Sequence, residues 1–253
     1  MFSEHLYYSY LETGILGKNL KYLPKTESTS KIIWDLVSSN NATEGMASIT
    51  DDQTLGKGRR GNKWFSLPNS SLTFSILLYP NFSIEKLGLI SLVAGIGCVE
   101  GIIKSTEIKT KLKWPNDIIY QNSKLGGVLA ECHKIKNKNV VVLGIGINVN
   151  EKLNDFPTYL QHSATSLRHI SGKKYKREVI LAEIINHLEK SINSESTIIE
   201  KWKSYCSHLN TDVKFHYGNR LLNGRFVDLN KQGHALVKIN GDIQTFSTGE
   251  IQI

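Results

Sequence analysis

Cysteine is scarce in this chain. Cys98, Cys132 and Cys206 are odd in number, far apart and without a CxxC pair. That argues against a disulfide framework or a zinc site and points to reduced thiols in a cytoplasmic protein. Cys132 falls in an apolar strand pattern and is expected in the core. Also missing is an apolar run of the ~18 residues that a membrane span requires. The first residues lack the basic start and apolar stretch of a signal peptide; Tyr7, Tyr8 and Tyr10 make them aromatic instead. There is no internal repeat, no helix-turn-helix pattern with a basic recognition helix and no aromatic–basic RNA signature.

What is present suits a globular protein. A hydrophobic fraction of 40% suffices for a buried core, and 253 residues fit one large domain with a small appendage. The net charge of +8 favours polyanions or acidic partner proteins without choosing between them. Many lysines, such as Lys134, Lys136, Lys138, Lys173, Lys174 and Lys176, are scattered and expected in solvent.

After an ambiguous start, Ser28-Thr29-Ser30 precedes Ile32, Ile33, Leu36 and Val37 at helical spacing, so the hydroxyl residues read as an N-cap. Strand-like segments at 45–50 and 71–79 flank a glycine loop. Ser83 is expected to cap a helix running to about Lys104, with Leu87, Ile90, Val93 and Ala94 facing inward. Residues 109–150 read as a three-stranded antiparallel meander, with turns near Gln121-Asn122-Ser123 and at Asn137-Lys138. Pairing Lys136 with Asn139 sets Glu131 opposite Gly144, Leu129 opposite Gly146 and Gly127 opposite Asn148. One face then carries Val128, Ala130, Cys132, Ile145, Ile147 and Val149; the other carries Gly127, Glu131, Gly144, Gly146 and Asn148. Three glycines on one face suggest a ligand lying flat on the sheet; the alternative is a closely packed helix. Residues 178–206 predict one or two helices buried through Val179, Leu181, Ala182, Ile185, Leu188 and Ile192. From Thr211 onward, turns at Gly218-Asn219, Asn223-Gly224, Gln232-Gly233 and Asn240-Gly241 predict a small β-barrel, bounded near Cys206–Asn210.

The most informative stretch is Gly56-Lys57-Gly58-Arg59-Arg60-Gly61, followed closely by Trp64-Phe65. Glycines let backbone N–H groups approach an anion, and the cations supply charge for a phosphate or carboxylate. The loop is not a Walker motif, since no Lys-Ser or Lys-Thr pair follows at the required spacing. Alone it is compatible with a basic hairpin tip or an RNA-touching arm. It joins two further clusters at the mouth of the glycine-lined face: Lys113-Trp114-Pro115-Asn116-Asp117 with Lys124, and Gly144-Ile145-Gly146-Ile147-Asn148. A carboxylate such as Asp117 can hold Mg²⁺ beside nucleotide phosphates, and a lysine can neutralise charge on a phosphorus under attack.

In this order the motifs resemble those of biotin protein ligases of the holocarboxylase synthetase family. The resemblance rests on Glu-Ser-Thr-Ser, Gln53 through Trp64, Lys-Trp-Pro-Asn-Asp, Lys-Leu-Gly-Gly-Val-Leu-Ala-Glu, Gly-Ile-Gly-Ile-Asn and a terminal Gly-Glu-Ile, from about Lys21 to Ile253. It implies an α+β (α/β) catalytic core over 1–208, a mixed, largely antiparallel sheet with flanking helices of the class II synthetase-like type. An SH3-like barrel over 209–253 completes the chain. It further implies ATP-dependent formation of biotinyl-5′-adenylate, then transfer to a lysine of a biotin carboxyl carrier domain. ATP and Mg²⁺ are substrate and activator, and no tightly bound prosthetic group is expected.

Carried over by position, Ser28, Thr29, Gln53, Gly56, Lys57, Gly58, Arg59, Lys124, Gly127, Gly144 and Gly146 fall on the biotin side. Arg60, Trp64, Lys113, Asn116, Asp117 and Asn148 fall on the nucleotide side. Lys124, Arg59 and Asp117 are the residues expected to act in catalysis, with Asp117 near the metal. Lys57 stands where the family often has Arg, and Ser30 where it often has Asn or Gln; the role of Ser30 stays open. With about 20 residues before the catalytic pattern, no DNA-binding domain is expected. Neither DNA nor a membrane is an expected partner, and the protein is expected as a monomer or homodimer. The rival readings are a lipoate or octanoyl ligase and a basic nucleic-acid-binding module.

Overall fold

The computed structural model describes residues 1–218 and 220–252, so Asn219 of the expected Gly218-Asn219 turn and the terminal Ile253 lie outside the described residues. The chain opens with α1 (Glu4–Tyr10) and continues through β1 (Leu20–Thr26), α2 (Thr29–Ser38), β2 (Ala47–Gln53) and β3 (Leu72–Leu78). Then come α3 (Leu89–Thr106), β4 (Lys111–Lys113), β5 (Asp117–Tyr120), β6 (Ser123–Ile135) and β7 (Lys138–Ile147). These seven strands form one sheet in the order β1-β2-β3-β7-β6-β5-β4, in which only β1 and β2 pair in parallel among the described strands. The meander thus has four strands, because the Lys-Trp-Pro-Asn segment divides its first arm.

The alternation in β7 creates the site. Val141, Leu143, Ile145 and Ile147 join the main core, which lies under α3 and α5 (Arg177–Ile192). On the opposite face, Val140 and Val142 pack with Leu77 against Ile33 of α2. Each such buried side chain contributes roughly 1.5–3 kcal/mol. Further along that second face stand Gly144 and Gly146, and there the apolar packing stops.

Several expectations are corrected. Lys136 (φ 46°) and Asn137 (φ 64°) are both left-handed and form the two-residue hairpin turn themselves. Ile135 therefore pairs with Lys138, Leu129 with Gly144 and Gly127 with Gly146. The register moves by two residues, so the assignment of faces survives. Asn148 falls beyond the end of β7. Cys132 is exposed although its cross-strand partner Val141 is buried, because β5 pairs with β6 only as far as Gly127 and leaves β6 an edge strand there. Helix α3 starts at Leu89 with Gly88 at its N-cap; a short 3-10 turn (Ile84–Lys86) precedes it. By length and a mean hydropathy of 1.5, α3 matches a membrane span, an 18-residue stretch that the sequence reading overlooks. It is instead largely buried, 67% of it within the protein.

After α4 (Leu167–Ser171) and α5, the short α6 (Ile198–Tyr205) leads to a second unit. Strands β8 (Asp212–Tyr217), β9 (Arg220–Leu229), β10 (Ala235–Ile239), β11 (Asp242–Phe246) and β12 (Glu250–Gln252) form an antiparallel sheet in the order β11-β10-β9-β8-β12. Two anchors fix it to the larger unit. The buried Trp114 donates from Nε1 to Gly233 O at 3.1 Å. The His208 ring lies 6.2 Å from Trp202 and 4.5 Å from Phe226.

Candidate active site

A cavity of about 260 Å³ opens over the glycine end of the sheet. Ser28, the N-cap of α2, accepts a bond from Lys31 N and places Thr29 and Ser30 in the first turn at the cavity wall. Thr29 donates from its backbone N to Gln53 Oε1 at 2.9 Å and from Oγ1 to the same atom at 3.2 Å. With its oxygen committed, the Gln53 amide has its NH₂ left to offer. Ser75 completes the cluster, 2.8 Å from Thr29 Oγ1 and 2.9 Å from Ser30 Oγ. Ser30, whose role was open, thus stands in the wall in hydroxyl contact with β3.

The glycine loop is a hairpin closed by backbone bonds. Trp64 N donates to Gly56 O at 2.9 Å and Gly58 N to Asn62 O at 2.7 Å. Gly56 lies outside the cavity lining; a Cβ there would meet Trp64 O at 2.7 Å and Gln53 Nε2 at 3.0 Å, so this position needs glycine to let the loop pass. Arg59 is half-buried and donates to Asn116 Oδ1 at 3.3 Å. Burial, then the adjacent Arg60, pull its pKa below the ordinary value.

The glycine floor behaves differently from the expectation of a bare shelf. The Trp64 ring lies on Gly146, with ring atoms 2.4–2.7 Å from where a Cβ would be, and Ser30 Oγ is 2.9 Å from the same point at Gly144. Two of the glycines therefore make room for protein side chains. Over Gly127 the neighbours are Lys124 Nζ at 3.5 Å and Asp117 Oδ1 at 3.7 Å. The Trp64 indole N–H is buried with no hydrogen-bond partner among the described residues, a donor waiting for an acceptor.

Asp117 is the electrostatic hub. Its Oδ1 lies 2.6 Å from Lys124 Nζ and its Oδ2 3.3 Å from Lys113 Nζ. Asn116 donates from Nδ2 to Val128 O at 2.7 Å, which ties the motif to β6. Among the described residues, seven cations and three carboxylates (Asp117, Glu131, Glu250) line the cavity, which fits a polyanion. The donor set does not fit a protein-held magnesium ion. Both Asp117 oxygens are engaged by lysines, and no group of three or more His, Cys, Asp or Glu among the described residues could hold a metal.

Of the residues expected at the site, fifteen line this cavity: Ser28, Thr29, Gln53, Lys57, Gly58, Arg59, Arg60, Trp64, Lys113, Asn116, Asp117, Lys124, Gly127, Gly144 and Gly146. Asn148 does not. It is buried, and its Nδ2 donates to Thr165 O at 2.9 Å, bracing the loop that follows β7. Sequence reasoning missed Trp34 and put Glu131 on the glycine face without a role; the two meet at the cavity with Trp34 Nε1 3.4 Å from Glu131 Oε2. It also gave no role to Gly249 and Glu250, which the second unit inserts into the cavity; the terminal Gly-Glu-Ile was the available signal.

The biotin/lipoate A/B protein ligase family model matches residues 22–148, half of the chain, and the biotin protein ligase C-terminal domain model matches 208–253. The chain belongs to the biotin/lipoate A/B protein ligase family. Its relatives include the bifunctional ligase/repressor BirA of Bacillus subtilis, 32% identical over 96% of this chain and 76% of that protein. The biotin–[acetyl-CoA-carboxylase] ligase of Mycobacterium tuberculosis is 25% identical over 92% and 88%. The biotin protein ligase of Aquifex aeolicus, solved in complex with biotin and ATP, superposes with a TM-score of 0.80 at 34% identity, covering 92% of this chain and 97% of that one. These matches account for the architecture of a mixed sheet with flanking helices and a C-terminal SH3-like domain.

Proposed function

We propose that this family member is a biotin–protein ligase. It uses ATP to activate biotin as biotinyl-5′-adenylate, releases diphosphate and transfers the biotinyl group to a lysine of a biotin carboxyl carrier protein. The observation that carries the reading is the convergence of the hydroxyl–amide wall (Thr29, Ser30, Gln53), the cationic loop and the Lys124–Asp117–Lys113 cluster on one glycine-floored cavity. The Aquifex relative, bound to biotin and ATP, supports both ligands. The match of the C-terminal model to biotin protein ligases favours biotin over lipoate.

The chemistry follows from charge. A carboxylate attacks a polyanionic phosphate poorly because both are negative. Lys124 and Arg59 offset that repulsion and hold the carboxylate in line with the α-phosphorus. Asp117 positions both lysines until the phosphates take over as their partners. Thr29, Ser30 and Gln53 offer donors and acceptors to the ureido ring, and Trp64 with its unmatched N–H closes the wall beside it. The mixed anhydride formed is water-sensitive, so the hairpin 54–63 excludes solvent while the carrier lysine, as the free amine, attacks the acyl carbon and expels AMP. Magnesium, if it takes part, would accompany the triphosphate as its counter-ion. We further place the domain boundary at 208/209 and the protein in the cytoplasm, a location supported by its three free cysteines.

Incubation with biotin, Mg-ATP and a biotin carrier domain, read by mass spectrometry, is expected to add a single biotinyl group to the carrier. Modification with lipoate but not biotin would overturn the reading.

A further inference from the structure

The terminal Gly249-Glu250-Ile251 string has a structural task. Arg59 donates from Nη1 to Gly249 O at 3.3 Å and from Nη2 to Thr248 Oγ1 at 3.2 Å, besides its bond to Asn116. Two of its three bonds thus go to the C-terminal unit, about 190 residues away in sequence. The acceptor is itself fixed: a Cβ at Gly249 would lie 2.2 Å from Phe215 Cζ, so the backbone rests directly on that ring. Phe215 packs in turn against Trp114 at 6.0 Å, two residues before Asn116 in the sequence. Arg59 and Asn116 are therefore referenced to one aromatic plate.

We infer that Thr248 and Gly249 are positioning residues, a clasp by which the C-terminal domain holds Arg59 over the cavity before any substrate arrives. The inference rests on the role proposed above for Arg59. The loop carries Lys57, Arg59 and Arg60, three cations that repel one another, and its glycines make ordering costly. Neutral acceptors from the other domain hold the guanidinium without competing with an incoming phosphate, whose full charge makes the stronger bond. The C-terminal domain is then part of the active site, and its docking sets how long the adenylate is retained.

Gly249 cannot be probed, because any side chain collides with Phe215. Thr248 is exposed, so its variants will fold; Thr248→Val removes the acceptor and Thr248→Ser keeps it. In the ligand-free protein, T248V is expected to be cut by trypsin after Arg59 and Arg60 about 3- to 10-fold faster than wild type, the range for losing one typical, solvent-exposed hydrogen bond. T248S is expected to match wild type, and Arg59→Ala to expose Arg60 to the same extent. With biotin and Mg-ATP, T248V is expected to release biotinyl-adenylate faster by a similar factor, with no further effect in the R59A background. Equal trypsin rates for T248V and wild type, or a T248V effect that adds fully to R59A, would overturn the clasp. Because the digestion uses no substrate, it decides the clasp even if the ligase assay fails.

Discussion

Lys124 and Asp117 meet at 2.6 Å, and Asp117 also carries Lys113. Removing Lys124 leaves that carboxylate with one partner and takes a positive charge from the point where negative charge accumulates. Lys124→Ala is expected to slow pyrophosphate release about 10²- to 10³-fold. The melting temperature should barely change, since the lysine side chain is 42% exposed. A near wild-type rate would remove Lys124 from the mechanism. Lys124 was legible in the sequence because it stands just past a Pro-Asn-Asp strand entrance. Glu151 was not, since nothing in its neighbourhood marks a buried acid. It is fully buried, accepts from Ser71 Oγ through Oε1, and its Oε2 has no partner among the described residues. Burial pushes its pKa up to about 7. Between the ordinary carboxylate value of 4.5 and 7, the native protein holds a proton that the unfolded chain has lost, so stability falls as pH rises and then stays level. The loss approaches about 3 kcal/mol above pH 7. Above pH 6.5, where His208 no longer opposes it, Glu151→Gln is expected to remove this fall in urea titrations run up to pH 8; an unchanged slope would place the titration elsewhere.

At the scale of elements, period-2 alternation was enough to separate the core face of β6 and β7 from the site face, because one wrong residue in the turn on each strand shifts register by two and preserves the face. What escaped was the turn itself: left-handed Lys136 is uncommon, and no glycine announced it. The glycines of α3 were equally opaque. Gly97 and Gly101 look like poor helix residues, yet a Cβ at Gly101 would lie 2.5 Å from Ile184 Cα and one at Gly97 2.9 Å from Leu188 Cα. They permit α3 and α5 to touch backbone to backbone. Gly101→Ala gains helix propensity of ~1 kcal/mol but must push two helices apart, which costs about 1–3 kcal/mol or more. A net fall in melting temperature is expected, with biotin affinity little altered because the contact lies on the face of the sheet away from the cavity. A stabilised G101A would show that the helices separate freely.

At the scale of the whole molecule, the two units share the active site, so the joint between them matters to catalysis as well as to folding. The sequence showed where the texture changes, near residue 208, but not that His208 is the buried hinge of the joint. Its ring lies between Trp202 of α6 and Phe226 of β9, its Nδ1 is 3.2 Å from Ser207 Oγ, and its Nε2 has no partner among the described residues. Burial, and then the positive Lys113, lower its pKa to about 3. Below pH 6.5 the unfolded chain takes up a proton that the native joint refuses, so stability falls as pH drops from 6.5 toward 3, by about 1.4 kcal/mol per unit. Glu151 acts with the opposite sign between 4.5 and 7, so the two slopes nearly cancel between pH 4.5 and 6.5. Wild-type stability is therefore expected to be almost flat there. Glu151→Gln should unmask a decline on acidification, and adding His208→Phe, which keeps a ring between Trp202 and Phe226, should remove it. Tryptophan fluorescence follows the joint directly, since Trp114 and Trp202 both stand at it. A decline in E151Q that survives H208F would mean that the acid-sensitive contact lies outside the joint.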